Sequence, residues 1–242
     1  MLQLGERLPD RLYWLLVPQW YRLNRYRSPE YVDPPIDPFA VTTVDPDRIV
    51  RFTRREYPPW LNAWACFGVS RSGDWDVRDA PSVDESYHGT PPELYHSERF
   101  SESALHRSLE AHFDRGVPWG ETRLVRDVGE RVEDDGFDGH LWNGCTTRSD
   151  VLDRCERIDR LYESMRERGC LSRRELNAER GYPGSFRQVM ENEILVDVAR
   201  DGALLFVNGR HRLSIAKLLD LDEVPVAVLV RHEQYVERDR WS

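Results

Sequence analysis

The chain has 242 residues, enough to bury a core in one large domain or two small ones. Its 43 acidic residues outnumber 34 basic ones, giving a net charge of −9, and Lys217 is its single lysine. Such an acidic, halophile-like composition does not by itself exclude nucleic acid as a partner. The cysteines lack CxxC spacing and the histidines are scattered, which argues against a disulfide framework and a zinc site and predicts a cytoplasmic protein.

Residues 1–38 are predicted to form an N-terminal arm and a proline-rich linker. The arm, residues 1–28, combines arginines with tryptophans and tyrosines. Its longest apolar run, Leu12–Val17, is far shorter than the roughly 20 residues needed to cross a membrane. Aromatic and arginine side chains together favour a lipid headgroup layer, so peripheral membrane contact is one interpretation. Packing of the arm on its own domain is the other, and the sequence leaves both open.

Residues 39–242 are predicted to form one α+β domain with a helical insertion at about residues 95–185. Strand-forming residues fill positions 39–44, and the Pro, Gly and Ser content of positions 58–93 predicts irregular loop. Cap residues and apolar spacing predict three helices in the insertion. The first is capped by Ser101 or Ser103, the second begins at Asp150 and ends at Gly169, and the third covers positions 172–180.

The C-terminal part changes to strand patterns. Positions 194–198 and 203–207 are strand-like and flank Asp201-Gly202, a two-residue hairpin signal. Positions 211–219 show helical spacing. The nearly continuous apolar run at positions 225–230 predicts a central strand that is covered on both faces.

The loop between the second of these strands and the helix is the candidate binding loop, Asn208-Gly209-Arg210-His211-Arg212. Gly209 permits positive φ and close approach of a ligand. The helix start adds amide groups without partners and a positive dipole end, both of which attract anions. Basic side chains are unfavourable there unless an anion or carboxylates neutralise them, so the loop predicts a phosphate-like ligand. The structural alternative is that Arg212 pairs with a carboxylate.

The segment from Glu193 to Arg231 resembles the ParB/sulfiredoxin superfamily over about forty residues, above all in the loop and in Ser214–Leu219 after it. Members of that superfamily carry a Gly-x-His-Arg or Gly-x-Arg-Arg motif that binds nucleotide phosphates. The resemblance implies a ParB/sulfiredoxin-like mixed sheet, and ATP or another nucleotide with Mg²⁺ as cofactor. It also implies that Gly209, His211 and Arg212 contact phosphate. Sulfiredoxins have a cysteine where Arg210 stands, so sulfinic acid reduction is not expected.

A catalytic carboxylate is implied by the same resemblance, because kinases of this fold use one as base. The candidates are Glu193, Asp74 and Asp76, with Glu191 and Asp197 as further carboxylates. Asp74 and Asp76 flank Trp75 on a turn, a spacing that suits Mg²⁺. In a chain this acidic, each carboxylate can equally be a solvated surface group.

Three functional interpretations follow from these residues. The first is a nucleotide-dependent phosphotransferase or nucleotide hydrolase. The second is a ParB-like DNA-binding regulator, which we rank lower because only eleven residues follow Arg231, too few for the DNA-binding module of those proteins. The third is a non-catalytic protein that binds a phosphorylated ligand at a membrane surface.

Overall fold

The computed structural model describes residues 9–31, 36–56, 59–77, 97–134, 142, 144–181 and 184–239. Within these residues the chain has a mixed α+β architecture built on a six-stranded sheet. The strands are β1 Val41–Val44, β2 Ile49–Phe52, β3 Val69–Arg71, β4 Ile194–Val198, β5 Leu204–Asn208 and β6 Val224–His232. The α-helices are α1 Asp10–Tyr26, α2 Ala63–Cys66, α3 Ala104–Phe113, α4 Arg123–Val132, α5 Arg148–Arg168, α6 Arg173–Glu179, α7 Phe186–Glu191, α8 Arg210–Leu218 and α9 Glu233–Asp239.

The sheet is mixed, with the order β1-β6-β4-β5-β2. Strand β4 runs parallel to β6 and antiparallel to β5, and β2 runs parallel to β5. The second half of β6 also pairs with β3 in parallel. The carboxyl ends of β3, β4 and β6 therefore meet at one edge of the sheet, whereas β5 delivers Gly209 to the opposite edge.

Alternating side chains of the strands bury two separate cores. Ile194, Val196 and Val198 of β4 face one core, which helices α3, α4, α5 and α8 cover. Leu195 and Ala199 face the other, which is covered by α1, α2 and α7. Strand β6 is buried along its whole length except at Arg231, which confirms the central strand that its apolar run predicts.

Most of the elements predicted from the sequence are confirmed, with some corrections. Ser103 caps α3 and Ser172 caps α6. The cap of α5 is Thr147 rather than Asp150, which instead closes a capping box as its third helical residue. Helix α2 and strand β3 lie in the stretch predicted to be irregular. They have only four and three residues, too few to show a periodic sequence pattern. The part of that stretch beyond residue 77 lies outside the described residues.

The predicted arm contains helix α1, which was not predicted from the sequence. Its inner side packs against α7, where the Tyr13 hydroxyl accepts a hydrogen bond of 3.1 Å from the backbone N–H of Phe186. Its outer side is exposed and apolar. In the part of the chain that the structure describes, no helix combines the length and hydropathy needed to cross a membrane.

Candidate functional site at the start of α8

The binding loop turns sharply at Gly209, whose φ is +93°. A Cβ atom at this position would lie 2.9 Å from Cα of Ile194 and 3.3 Å from the carbonyl oxygen of Glu193. The first distance is shorter than Cβ contacts allow, and the second is tighter than most of them. Glycine is therefore required by the close approach of the β4 backbone, as well as by the positive φ.

Helix α8 starts directly after this turn. Its N-cap is Gly209, so no side chain caps the helix, and no acidic residue lies in its first turn. The first intrahelical bond runs from the N–H of Leu213 to the carbonyl of Gly209, at 3.1 Å. The amides before it have no partner within the helix, and the dipole makes this end positive. This is the helix start that the loop sequence predicts.

Arg212 does not have the open guanidinium that the resemblance implied. Its side chain is buried, and Nη1 donates to Oε2 of Glu193 at 3.1 Å. Nη2 donates to the carbonyl of Leu171 at 2.5 Å and lies near Sγ of Cys170. The structural alternative for Arg212, pairing with a carboxylate, is what the geometry shows.

Glu193 is the one predicted catalytic carboxylate that lies beside the loop, and it is the partner of Arg212. It is 1% exposed and also accepts a 2.6 Å hydrogen bond from the backbone N–H of Arg173. Burial raises the pKa of Glu193, while the charge of Arg212 opposes that rise. The Glu193 carboxylate therefore links the start of β4 to α6 and α8. Because both contacts engage it, it is not free to act as a general base.

His211 is neutral in this environment. Nε1 of Trp142 donates to its Nε2 at 3.1 Å, and the side chain is half-buried. Burial, followed by the positive charges of Arg210 and Arg154, lowers the pKa of His211 to about 3. Because an indole N–H can only donate, Nε2 is the acceptor and the proton of the neutral ring lies on Nδ1.

Several basic side chains lie around the start of α8. Arg210 is half-buried, with its guanidinium 5.0 Å from the ring centroid of Trp60. The pKa of Arg173 is lowered by burial and by the charge of Arg212. The arginines whose charges act on Arg173 or on His211 are Arg154, Arg180, Arg210 and Arg212, and the charge of Glu193 acts on Arg173. In a chain of net charge −9, this is a local cluster of arginines.

Asp74 and Asp76, predicted as catalytic and magnesium-binding, lie at the other end of β4. Arg200, just beyond that strand, donates to Oδ1 of Asp74 at 2.8 Å and to Oδ1 of Asp76 at 2.7 Å. Strand β4 spans about 16 Å, at about 3.3 Å per residue, and separates this cluster from Gly209. The two aspartates therefore cannot share a ligand with the loop.

The same cluster also contains His232. Its Nε2 lies 2.8 Å from the carbonyl oxygen of Gly73 and 3.9 Å from Asp76. His232 therefore lies at this end of the sheet, away from the loop. Among the residues described, no three or more His, Cys, Asp and Glu side chains come together in a way that could hold a metal ion.

Several residues of the site were not identified from the sequence. Trp142 is separated by 69 positions from His211, and Arg173 by 20 from Glu193. Trp60 lies in the turn before α2, and Arg154 lies on α5. No local pattern marks these residues, because the tertiary fold alone brings them to α8.

Comparison of the chain with protein-family models, with curated proteins and with solved structures gave no match. The similarity of the loop to the ParB/sulfiredoxin motif therefore stays a prediction from the sequence.

Proposed function

We propose that the start of α8 binds the phosphate group of a nucleotide or another phosphorylated small molecule. The observation that carries this proposal is a half-buried helix start at Gly209 whose first turn contains Arg210 and Arg212 and no acidic residue. Arginine charge beside the positive end of the helix dipole is unfavourable unless an anion or a carboxylate neutralises it, as Glu193 does for Arg212. A bound phosphate would relieve this repulsion.

The residues of the loop would have different roles in this binding. The amides of the first turn and the Arg210 guanidinium would contact the anion, since charge-assisted bonds are the strongest that the loop offers. Arg212, together with Glu193, would position the loop against β4 rather than contact the ligand. His211 would stay neutral and present a ring that adds no net charge.

The proposal is limited to binding. Of the predicted bases, Glu193 is engaged by Arg212 and Arg173, and Asp74 and Asp76 lie at the far edge of the sheet. The predicted magnesium ligands do not fit a metal that bridges to the loop, so no catalytic step is assigned. A binding protein for phosphorylated ligands agrees better with this arrangement than a phosphotransferase does.

Isothermal titration with ATP, ADP and CTP, with and without Mg²⁺, tests the proposal. Wild type and Arg160→Ala, an α5 variant whose side chain is 67% exposed, are expected to bind equally. Arg210→Ala is expected to bind at least about tenfold more weakly, because a charge-assisted bond contributes about 1.5–3 kcal/mol. Absence of binding by wild type, or unchanged affinity of Arg210→Ala with an unchanged melting temperature, would remove the proposal.

A further inference from the structure

Helix α1 presents an apolar stripe to solvent. The members of this stripe are large side chains that are between 40% and 60% exposed: Leu12, Leu15, Leu16, Trp20, Leu23 and Tyr26. Their spacing of three and four residues places them on one side of the helix, around the exposed Gln19. Single exposed apolar residues are ordinary, whereas a contiguous stripe of this length marks an interaction surface.

The fixed position of α1 shows that this stripe faces outward in the folded protein. Arg22 makes a two-bonded ion pair with Asp37, with distances of 2.8 and 2.9 Å. Arg25 donates to the carbonyl oxygens of Trp64 and Ala65 at 2.8 and 3.0 Å. The ring of Tyr21 also stacks on Phe186, with centroids 5.8 Å apart. The helix is thus held by its inner side, and its outer side is left uncovered by the described residues.

The charge of this end of the chain indicates what covers the stripe. Arg11 and Arg27 are exposed near the two ends of α1, and so are Asp10 and Glu30. The first 30 residues contain five arginines against three carboxylates, in a chain whose net charge is −9. An anionic surface would therefore attract this region more than the remaining, acidic chain.

We propose that α1 lies flat on an anionic lipid surface, with the apolar stripe at the boundary between headgroups and acyl chains. Its 17 residues give a helix about 25 Å long, at 1.5 Å per residue. Trp20 and Tyr26 have the amphipathic rings that favour this boundary. Arg11 and Arg27 contact lipid phosphates, and the inner side of α1 keeps the domain attached.

Flotation of the full chain with vesicles tests this proposal. We expect flotation with equal parts of phosphatidylglycerol and phosphatidylcholine, and little with phosphatidylcholine alone. The double variant Leu15→Ser/Trp20→Ser is expected to bind at least about tenfold more weakly, because apolar area drives insertion. The matched control is Leu152→Ser, which changes a leucine of α5 that is 47% exposed, and its binding should equal that of wild type.

The charge contribution is tested separately with Arg11→Ala/Arg27→Ala. This variant should lose binding to the anionic vesicles, and raised salt should weaken wild-type binding in the same way. The proposal is overturned if the full chain does not float with anionic vesicles, or if the Leu15/Trp20 variant floats as well as wild type. It is also overturned if sedimentation shows a dimer that this variant dissociates while vesicles are not bound, since a second copy then covers the stripe.

Discussion

The two ends of β4 contain similar groups but differ in their local charge. At its start, Glu193 pairs with Arg212, and further arginines surround this pair. Beyond its end, Arg200 is shared by Asp74 and Asp76. The first end lies beside the positive start of α8, whereas at the second end two carboxylates share one guanidinium.

This difference shows why residue types alone do not identify a binding site. Both ends combine arginine, carboxylate, histidine and glycine, and both looked functional in the sequence. At the Arg200 end, the described groups satisfy one another, which is the arrangement of a structural ion pair. At the α8 end, basic side chains lie beside the positive end of a helix, and this arrangement favours an anion.

The largest expected effect is the difference between the buried Arg212–Glu193 pair and the more exposed Arg200–Asp76 pair. Arg212→Ala would leave Glu193 buried without its cation and should lower the free energy of unfolding by about 3–5 kcal/mol. Arg200→Ala should cost less, because its side chain is 29% exposed and its backbone N–H still donates to Asp76 at 2.9 Å. Urea denaturation of both variants measures the difference. An equal or smaller loss for Arg212→Ala would contradict the burial that we assign to this pair.

Alanine substitutions at Gly209 and Gly73 compare the backbone at the two ends of β4. Gly209→Ala should destabilise by about 2–4 kcal/mol, because positive φ is combined with a clash against the Ile194 backbone. Gly73→Ala has a similar φ of +90° but no atom within 4 Å of the added Cβ. Its loss should be about 1–2 kcal/mol, from backbone strain alone. Thermal melts of the two variants test this, and equal losses would show that contact with β4 contributes nothing.

A smaller effect concerns pH. Burial lowers the pKa of His106 to about 4 and of His211 to about 3, from a usual value of 6.5. Between pH 6.5 and these values, the unfolded chain binds protons that the folded protein does not, so stability falls as the pH falls. His106 is 6% exposed, and its low pKa in the folded protein should reduce the free energy of unfolding by up to about 2 kcal/mol at pH 5 relative to pH 7.

Urea denaturation at pH 7, 6 and 5 measures this dependence. His106→Leu should show a smaller decrease than wild type, and His106→Leu/His211→Gln a smaller one still, because glutamine is able to accept the Trp142 hydrogen bond. If the double variant shows the full wild-type decrease, the two histidines are not held neutral in the folded protein.

The parts of the fold that the sequence predicted are those with strong local signals. Ser103 and the apolar run of β6 each impose a local structure that tertiary contacts did not alter. The hairpin predicted at Asp201-Gly202 is present, but its turn also includes Arg200, because the backbone N–H of Ala199 donates to the carbonyl of Ala203. The position of Gly209 before a helix was also predictable. The pairing of Arg212 was left open, because Glu193 lies 19 positions away and is brought near by the β4–β5 hairpin.

Other features depend entirely on long-range packing. Asp76 is separated by 124 positions from Arg200, so its role as a structural carboxylate could not be distinguished from metal binding. The Trp142 contact that helps keep His211 neutral has the same origin. The outward direction of the α1 stripe also required the fold, because the sequence shows that aromatic and apolar residues occur but not which side packs inward.

The central claim is that the basic helix start of α8 binds a phosphorylated anion. Titration of ATP into wild type, Arg210→Ala and Arg200→Ala tests it most directly, because the two variants remove one arginine from each end of β4. The account predicts that Arg210→Ala loses at least about tenfold in affinity while Arg200→Ala retains that of wild type. Equal affinity for all three proteins, or loss only in Arg200→Ala, would contradict it.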